Sequence, residues 1–99
     1  MKEILEQINK VFENRIRLGV MSLLLVHDEM DFNSLKKQLD VTDGNLATHL
    51  GTLEKSEYIK IEKKFVGKIP RTTYTATKAG RKAFAHHLEA LELFIKKHT

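Results

Sequence analysis

Apolar positions in the first part of the chain recur three and four residues apart, which is the spacing of one helical face. They predict a first helix over residues 2–12 and a second helix that starts near Asn14 and ends near residue 27. Residues 30–32 are short enough for a brief strand. Asn33 then predicts the N-cap of a short helix over residues 34–39.

A further helix is predicted over residues 42–56, with Thr42 as its N-cap and a buried side of leucines at 46, 50 and 53. The period then changes to alternation over residues 59–65, which predicts a half-buried strand. Residues 66–70 hold glycine and proline and predict a hairpin turn, and residues 71–76 the return strand. Thr77 predicts the cap of a last helix that runs to the end of the chain.

This order of elements predicts a mostly α fold with a small β-hairpin (α+β), specifically a winged helix-turn-helix built as one domain over residues 1–99. Two helices joined by a very short turn and followed by a hairpin are the elements of that fold. The first and last helices lie outside the minimal motif.

Composition narrows the function. The chain has 99 residues, a formal net charge of +4 and no cysteine, so disulfides and thiolate metal sites are excluded. Its longest apolar run is four residues, far short of a membrane span, and its N-terminus lacks the pattern of a secretory signal, so we expect a cytoplasmic protein. A glycine-rich nucleotide loop, an HExxH pattern and a nucleophile-elbow serine are all absent, so we expect no enzyme and no cofactor.

The helix over residues 42–56 has the chemistry of a DNA-reading helix. Opposite its leucines it carries Asn45, Thr48, Thr52 and Lys55, with His49 at the flank. Asn can read adenine through two hydrogen bonds, and Thr can touch a base edge or a thymine methyl. The alternative interpretation is an ordinary solvent-exposed helix. Gly44 and Gly51 each cost about 1 kcal/mol relative to alanine in a helix interior, and close approach to a phosphate or to a neighbouring helix could explain them.

The predicted hairpin is strongly basic. Residues 63–71 contain four cations and no acid, namely Lys63, Lys64, Lys68 and Arg71. Such side chains can contact the DNA backbone or enter the minor groove. Lysines on a strand edge also prevent aggregation, and that interpretation is compatible with DNA binding.

Several segments together resemble small winged-helix transcriptional regulators of the MarR and ArsR groups. They are residues 14–18 (NRIRL), 42–50 (TDGNLATHL), 53–54 (LE), 58–59 (YI), 70–74 (PRTTY) and 77–81 (TKAGR). The resemblance implies a dimeric, sequence-specific binder of double-stranded DNA that regulates transcription. It places the DNA contacts on residues 42–56 and 63–71, at Thr42, Asp43, Gly44, Asn45, Thr48, His49, Thr52, Lys63, Lys64, Lys68 and Arg71.

Some ArsR-type proteins bind zinc through their last helix. In this chain His87 and His98 have a compatible separation, but Ala85 stands where the family's aspartate is expected, so we expect no metal. His86, His87 and His98 are interpreted as exposed helix surface. Whether an effector ligand binds is not determined by the sequence.

The terminal helices are more apolar than one small core requires, which predicts a homodimer interface. The interface residues expected are Ile4, Leu5, Ile8, Phe12, Leu88, Leu91, Phe94 and Ile95. A two-fold dimer would suit a palindromic operator with half-sites about 34 Å apart. The alternative is that both helices fold back onto their own core. The main rival function is a winged-helix protein–protein interaction module; RNA binding is disfavoured because stacking aromatics on an open sheet are missing.

Overall fold

The computed structural model describes residues 1–97 and confirms the predicted winged-helix architecture. Five α-helices and three strands follow one another in the expected order, with one 3₁₀ turn after the first helix. The elements are α1 (Lys2–Gln7), the 3₁₀ turn (Lys10–Phe12), α2 (Arg15–Val26), β1 (Met30–Asp31), α3 (Phe32–Leu39), α4 (Asp43–Lys55), β2 (Ile59–Val66), β3 (Ile69–Ala76) and α5 (Lys78–Lys97).

The core lies where α2, α3 and α4 meet the sheet. One side of α2 and the leucine side of α4 are completely excluded from solvent, and Leu35 of α3 closes the third side. Full burial of a side chain of this size stabilises the fold by about 1.5–3 kcal/mol. Because α4 buries one side so completely, its opposite side must face outward. The buried residues of the two helices are Val20, Met21, Leu24, Leu46, Leu50 and Leu53.

The predicted first helix over residues 2–12 is wrong in its length. The α-helix ends at Gln7, and the chain is extended at Ile8 and Asn9 before the 3₁₀ turn. Asn9 causes the break because three of its groups are hydrogen-bonded. Its side-chain oxygen accepts from the Val11 N–H (2.9 Å), its amide nitrogen donates to the Tyr58 hydroxyl (2.9 Å), and its backbone N–H donates to His87 Nδ1 (3.0 Å).

The predicted cap of the third helix is also wrong. Asp31, not Asn33, is the N-cap: its carboxylate accepts the Ser34 N–H at 2.7 Å, and the helix already begins at Phe32. The same hydrogen bond is the main cause that lowers the pKa of Asp31. The caps predicted at Thr42 and Thr77 are confirmed, since each accepts a backbone N–H in the first turn of its helix, and Asn14 accepts one in the first turn of α2.

The three strands form an antiparallel sheet in the order β1-β3-β2. The predicted five-residue turn over residues 66–70 is too long, because the strands continue to Val66 and resume at Ile69. Gly67 allows the tight connection, since its φ of +65° is unfavourable for other residues. Pro70 is tolerated within β3 because β1 pairs only with Thr73 and Tyr74, leaving that stretch without a second partner strand.

The long helix α5 begins against the start of the hairpin and packs on α1. At Gly80 the two backbones touch so closely that an added Cβ would overlap the carbonyl oxygen of Tyr58. The radius of gyration is 15.0 Å, larger than the roughly 13 Å of a compact chain of this length. Within residues 1–97, no helix is both long and apolar enough to span a bilayer.

Candidate nucleic-acid interface

The outward side of α4 is the candidate reading surface. Thr42 starts the helix by accepting the Asn45 N–H at 3.2 Å, which leaves the remaining N–H groups of the first turn pointing out of the helix end. Asn45, Thr48 and Lys55 are exposed, whereas Thr52 is half-buried. The polar side of α4 therefore faces solvent, as the sequence predicts.

The threonines of α4 present a defined chemistry. The Thr48 hydroxyl donates to the Gly44 carbonyl (2.9 Å) and the Thr52 hydroxyl to the Thr48 carbonyl (3.3 Å). Each donor is thus used inside the helix, which leaves the oxygen lone pairs and the methyl group for an external partner. Such a group can accept from a base amino group or pack against a thymine methyl.

The two glycines of α4 lie on the same outward stripe as Thr48 and Lys55. Spacings of four, three and four residues from Gly44 place all four residues opposite the leucines. A Cβ added at Gly44 or at Gly51 would meet no protein atom within 4 Å. Packing against a neighbouring helix therefore does not explain these glycines, and the backbone of α4 is open to close approach from outside.

Arg17 of α2 is a functional candidate that sequence reasoning missed. Its Nη1 donates to Nδ1 of His49 at 2.9 Å, and its Nε donates to the Val11 carbonyl at 2.5 Å. Because a guanidinium can only donate, His49 accepts through Nδ1 and carries its proton on Nε2. Burial, followed by the charge of Arg17, lowers the pKa of His49, so the ring is neutral near pH 7. His49 is thus held at the edge of α4 with one free N–H.

Arg15 is a second candidate outside the predicted set. It lines a cleft of about 570 Å³ between the start of α2 and the start of α4, together with Asn14, Thr42, Asn45 and the acidic residue Asp40. Two helix N-termini meet there, and both favour an anion. The signal available in the sequence was the pair of arginines in the first turn of α2, where a cation opposes the helix dipole and is therefore not explained by helix stability.

Asp43, in the first turn of α4, is paired with Lys36 of α3 at 2.8 Å. The pair reduces the repulsion that an exposed carboxylate would exert on a phosphate.

The four basic residues of the hairpin fall into two pairs. Lys64 and Arg71 face each other across the strands and both carry ion pairs: Lys64 with Glu29 and Arg71 with Asp31, each at 2.8 Å. The hydrogen bond to Glu29 is the main cause that raises the pKa of Lys64.

Lys63 and Lys68 are exposed, and within residues 1–97 neither has an acidic partner. Two of the four cations are therefore ready for phosphate, and the other two must exchange an acidic partner for it.

The residues predicted for the dimer interface differ in how far they are buried within the protomer. Phe12 and Ile4 are buried in the protomer itself, Phe12 between the rings of Tyr58, Phe84 and His87 and Ile4 within the α1–α5 contact. These two therefore leave little side chain for a partner. Ile8, Leu91 and Phe94 are half-buried, whereas the exposed large apolar residues of α1 and α5 are Leu5, Leu88, Leu93 and Ile95.

The interpretation of the histidines as helix surface is wrong for His87. Its ring is buried, accepts the Asn9 N–H through Nδ1, and packs on Phe12; burial lowers its pKa. His86 is exposed, and His98 lies outside the described residues. Among residues 1–97, no three His, Asp or Glu side chains are grouped as metal ligands.

Comparisons with known proteins agree with this geometry. A family model described as a winged helix DNA-binding domain matches residues 16–95. An uncharacterized protein of Methanocaldococcus jannaschii is 34% identical over 85 residues, which cover 85% of this chain and 92% of that protein. A transcriptional regulator homologue from Pyrococcus horikoshii has a TM-score of 0.84 and 32% identity, with 98% of this chain and 97% of that chain covered.

More distant structures share the fold. PadR of Bacillus subtilis, solved in complex with operator DNA, has a TM-score of 0.66 at 15% identity and covers 76% of this chain and 47% of its own. The resemblance to small winged-helix proteins is therefore confirmed.

Proposed function

Because the chain belongs to the winged helix DNA-binding domain family, we propose that it is a transcriptional regulator that reads a specific sequence in double-stranded DNA. In this proposal α4 lies in the major groove, and the β2–β3 hairpin lies on the backbone or in the minor groove. One observation carries the proposal. The side of α4 opposite the buried leucines is polar, small and outward-facing, and cations lie at the start of α2 and along the hairpin.

The groups on α4 are suited to base reading. Asn45 is exposed and its side-chain amide has no hydrogen-bond partner within residues 1–97, which matches the two-bond recognition of adenine. Thr48 offers an acceptor and a methyl, and His49 offers one N–H held in place by Arg17. The space beside Gly44 and Gly51, where an added Cβ would meet no protein atom within 4 Å, supports a close fit between helix and groove.

The proposed anion-binding groups lie at the starts of α2 and α4 and on the hairpin. The N-termini of α2 and α4, Arg15, Lys63 and Lys68 can contact phosphates without first breaking an ion pair in the described chain. Phosphate contacts fix the position of a protein on the duplex, and base contacts specify the sequence. The P. horikoshii homologue, called a transcriptional regulator, and the operator complex of PadR support the same use of the fold.

The regulator is proposed to act as a homodimer. Leu5, Leu88, Leu93 and Ile95 are between 44% and 60% exposed on two helices that pack on each other, and a second copy would cover them. Two-fold symmetry would then present two copies of α4 to successive major grooves of a palindromic operator. Sedimentation at micromolar concentration should show dimers, and monomer alone would contradict this part of the proposal.

Selection of duplexes from a random pool, followed by affinity measurements over a salt series, tests the proposal. Lys68→Gln should weaken binding to every duplex and make the slope of log K against log salt shallower by about 0.9 per protomer, or about 1.8 for the dimer. The control Lys82→Gln changes an exposed lysine of α5 and should leave the slope unchanged.

Asn45→Ala should instead change the preferred base at one position of each half-site, with a loss of about 1–3 kcal/mol for the preferred base pair. If the wild-type protein binds random duplexes with no salt dependence, phosphate contact is refuted and a protein-interaction module becomes the better explanation. If Asn45→Ala weakens all sequences equally, the assignment of Asn45 to base reading is wrong.

A further inference from the structure

The end of the β2–β3 hairpin is apolar as well as basic. Phe65, Val66 and Ile69 are 74%, 58% and 70% exposed, and Pro70 is exposed beside them. Four apolar side chains around a two-residue turn are unusual at a position that the protein's own core does not cover. Solubility alone would favour polar residues there, so the tip is suited to a partner.

The tip has two faces. Phe65 pairs directly with Pro70, and Val66 pairs with Ile69. Because side chains alternate along a strand, Phe65 lies on the same face of the sheet as Ile59 and Ile61. Ile59 is buried in the core with the leucines of α4, so this face is the one that α4 packs against. Phe65 and Pro70 therefore extend the α4 side of the sheet beyond the body of the protein.

Charge identifies the partner. Lys63, Lys64, Lys68 and Arg71 flank the apolar tip, and residues 63–71 contain no acid. Lys64 and Arg71 are paired with acids of the protein, but Lys63 and Lys68 have no acidic partner within residues 1–97. An apolar protein partner would not need these cations, whereas a polyanion with an apolar interior does. We infer that Phe65, backed by Pro70, is an apolar contact that enters the minor groove of the DNA and partly unstacks a base step there.

The dimensions agree with a side-chain contact rather than with insertion of the whole hairpin. Neighbouring strands are about 4.8 Å apart between backbones, and the minor groove is only about 6 Å wide. The tip can rest at the groove with its lysines on the two phosphate rows while one aromatic ring reaches inside. Apolar wedges of this kind bend the duplex toward the major groove. The inference rests on the proposed function and adds DNA deformation to it.

The test uses Phe65→Ala with Ile69→Ala as the matched control on the opposite face of the same tip. The probe is a duplex selected by the wild-type protein and labelled at both ends for energy transfer. Phe65→Ala should weaken binding on the order of tenfold, as loss of one stacking contact does, should leave the salt slope unchanged, and should abolish the change in end-to-end distance. Ile69→Ala should retain both affinity and bending.

Both side chains are exposed, so neither variant should change the thermal midpoint. The inference would be overturned if Phe65→Ala bent and bound the duplex as wild type does, or if Phe65→Ala and Ile69→Ala showed equal losses. Either result would leave the proposed DNA-binding function standing. Absence of duplex binding by the wild-type protein would instead refute the proposed function. A third measurement uses vesicles of phosphatidylserine and phosphatidylcholine. If wild type binds them, Phe65→Ala does not, and Phe65→Ala bends DNA as wild type does, the tip is a membrane contact and the inference is overturned.

Discussion

Replacing Gly51 by alanine should separate the needs of the fold from the needs of DNA binding. Gly51 lies in the middle of α4, where glycine is the least favourable residue apart from proline. A Cβ at this position meets nothing in the protein within 4 Å. Packing within the protein therefore does not require glycine at this position. The substitution tests whether the complex with DNA requires it.

The stability effect follows from helix propensity. Alanine in place of glycine at an unstrained helical position stabilises a protein by about 0.4–1 kcal/mol, largely because the unfolded chain loses freedom. For a domain of this size such a gain raises the thermal midpoint by about 2–6 °C. Calorimetry of wild type and Gly51→Ala at the same protomer concentration measures it, since dimer formation would make the midpoint depend on concentration.

The DNA effect should have the opposite sign. If the backbone of α4 approaches the duplex closely at Gly51, the added methyl group overpacks the interface, which costs about 1–3 kcal/mol. That range corresponds to roughly 5–150-fold weaker binding to the selected duplex. A protein that is more stable and binds DNA as well as wild type would refute the close approach. A protein that is less stable would refute the structural basis of the prediction.

Gly80 provides the contrast within the same chain. Its missing side chain faces the backbone of Tyr58, and the carbonyl oxygen there cannot move aside as a flexible side chain could. That carbonyl also accepts the Thr77 N–H at 3.0 Å, which holds it in place. Gly80→Ala should therefore destabilise the fold by at least about 1–3 kcal/mol. Opposite thermal shifts for Gly51→Ala and Gly80→Ala are the expected result.

Two further predictions concern charge. Glu29→Gln removes the nearer acidic partner of Lys64 and leaves Glu62 at 3.9 Å, so binding to the selected duplex should tighten at low salt and the salt slope should steepen by up to about 0.9 per protomer; weaker binding would contradict the competition between Glu29 and phosphate. Because burial lowers the pKa of His87, the unfolded state takes up a proton first as the pH falls below 6.5, so stability is full above that pH and declines as the pH drops toward the folded-state pKa. His87→Gln should reduce this acid sensitivity in urea titrations across pH 4–8, whereas the exposed control His86→Gln should retain it; equal profiles would exclude His87 as the cause.

Patterns within single elements allowed most of the fold to be predicted. The leucines of α4 repeat over three turns, and the caps Asn14, Thr42 and Thr77 stand directly before apolar periods. In these places local propensity and tertiary packing favour the same conformation, so the secondary structure can be predicted from the local sequence alone. The polar side of α4 followed automatically, because a helix that buries one side exposes the other.

The errors arose where distant residues decide a local structure. Apolar spacing alone continues the first helix to residue 12, and only the contacts of Asn9 with Tyr58 and His87 end it early. These partners are 49 and 78 residues away in sequence, so no local pattern contains the information. The buried state of His87 has the same origin, since its neighbours Phe12 and Asn9 come from the other end of the chain.

The hairpin cations also depend on distant residues, because their acidic partners come from other parts of the chain. Sequence counts four equal cations on the hairpin, but the strand β1 and the loop before it bring Asp31 and Glu29 against Arg71 and Lys64. Exposed pairs of this kind add little to stability, so their effect falls mainly on binding, where each acid must be displaced before a phosphate can be contacted. The hairpin is therefore a weaker polyanion site than its composition suggests. For that reason Lys63 and Lys68, which have no acidic partner within residues 1–97, should contribute more to DNA affinity than Lys64 and Arg71.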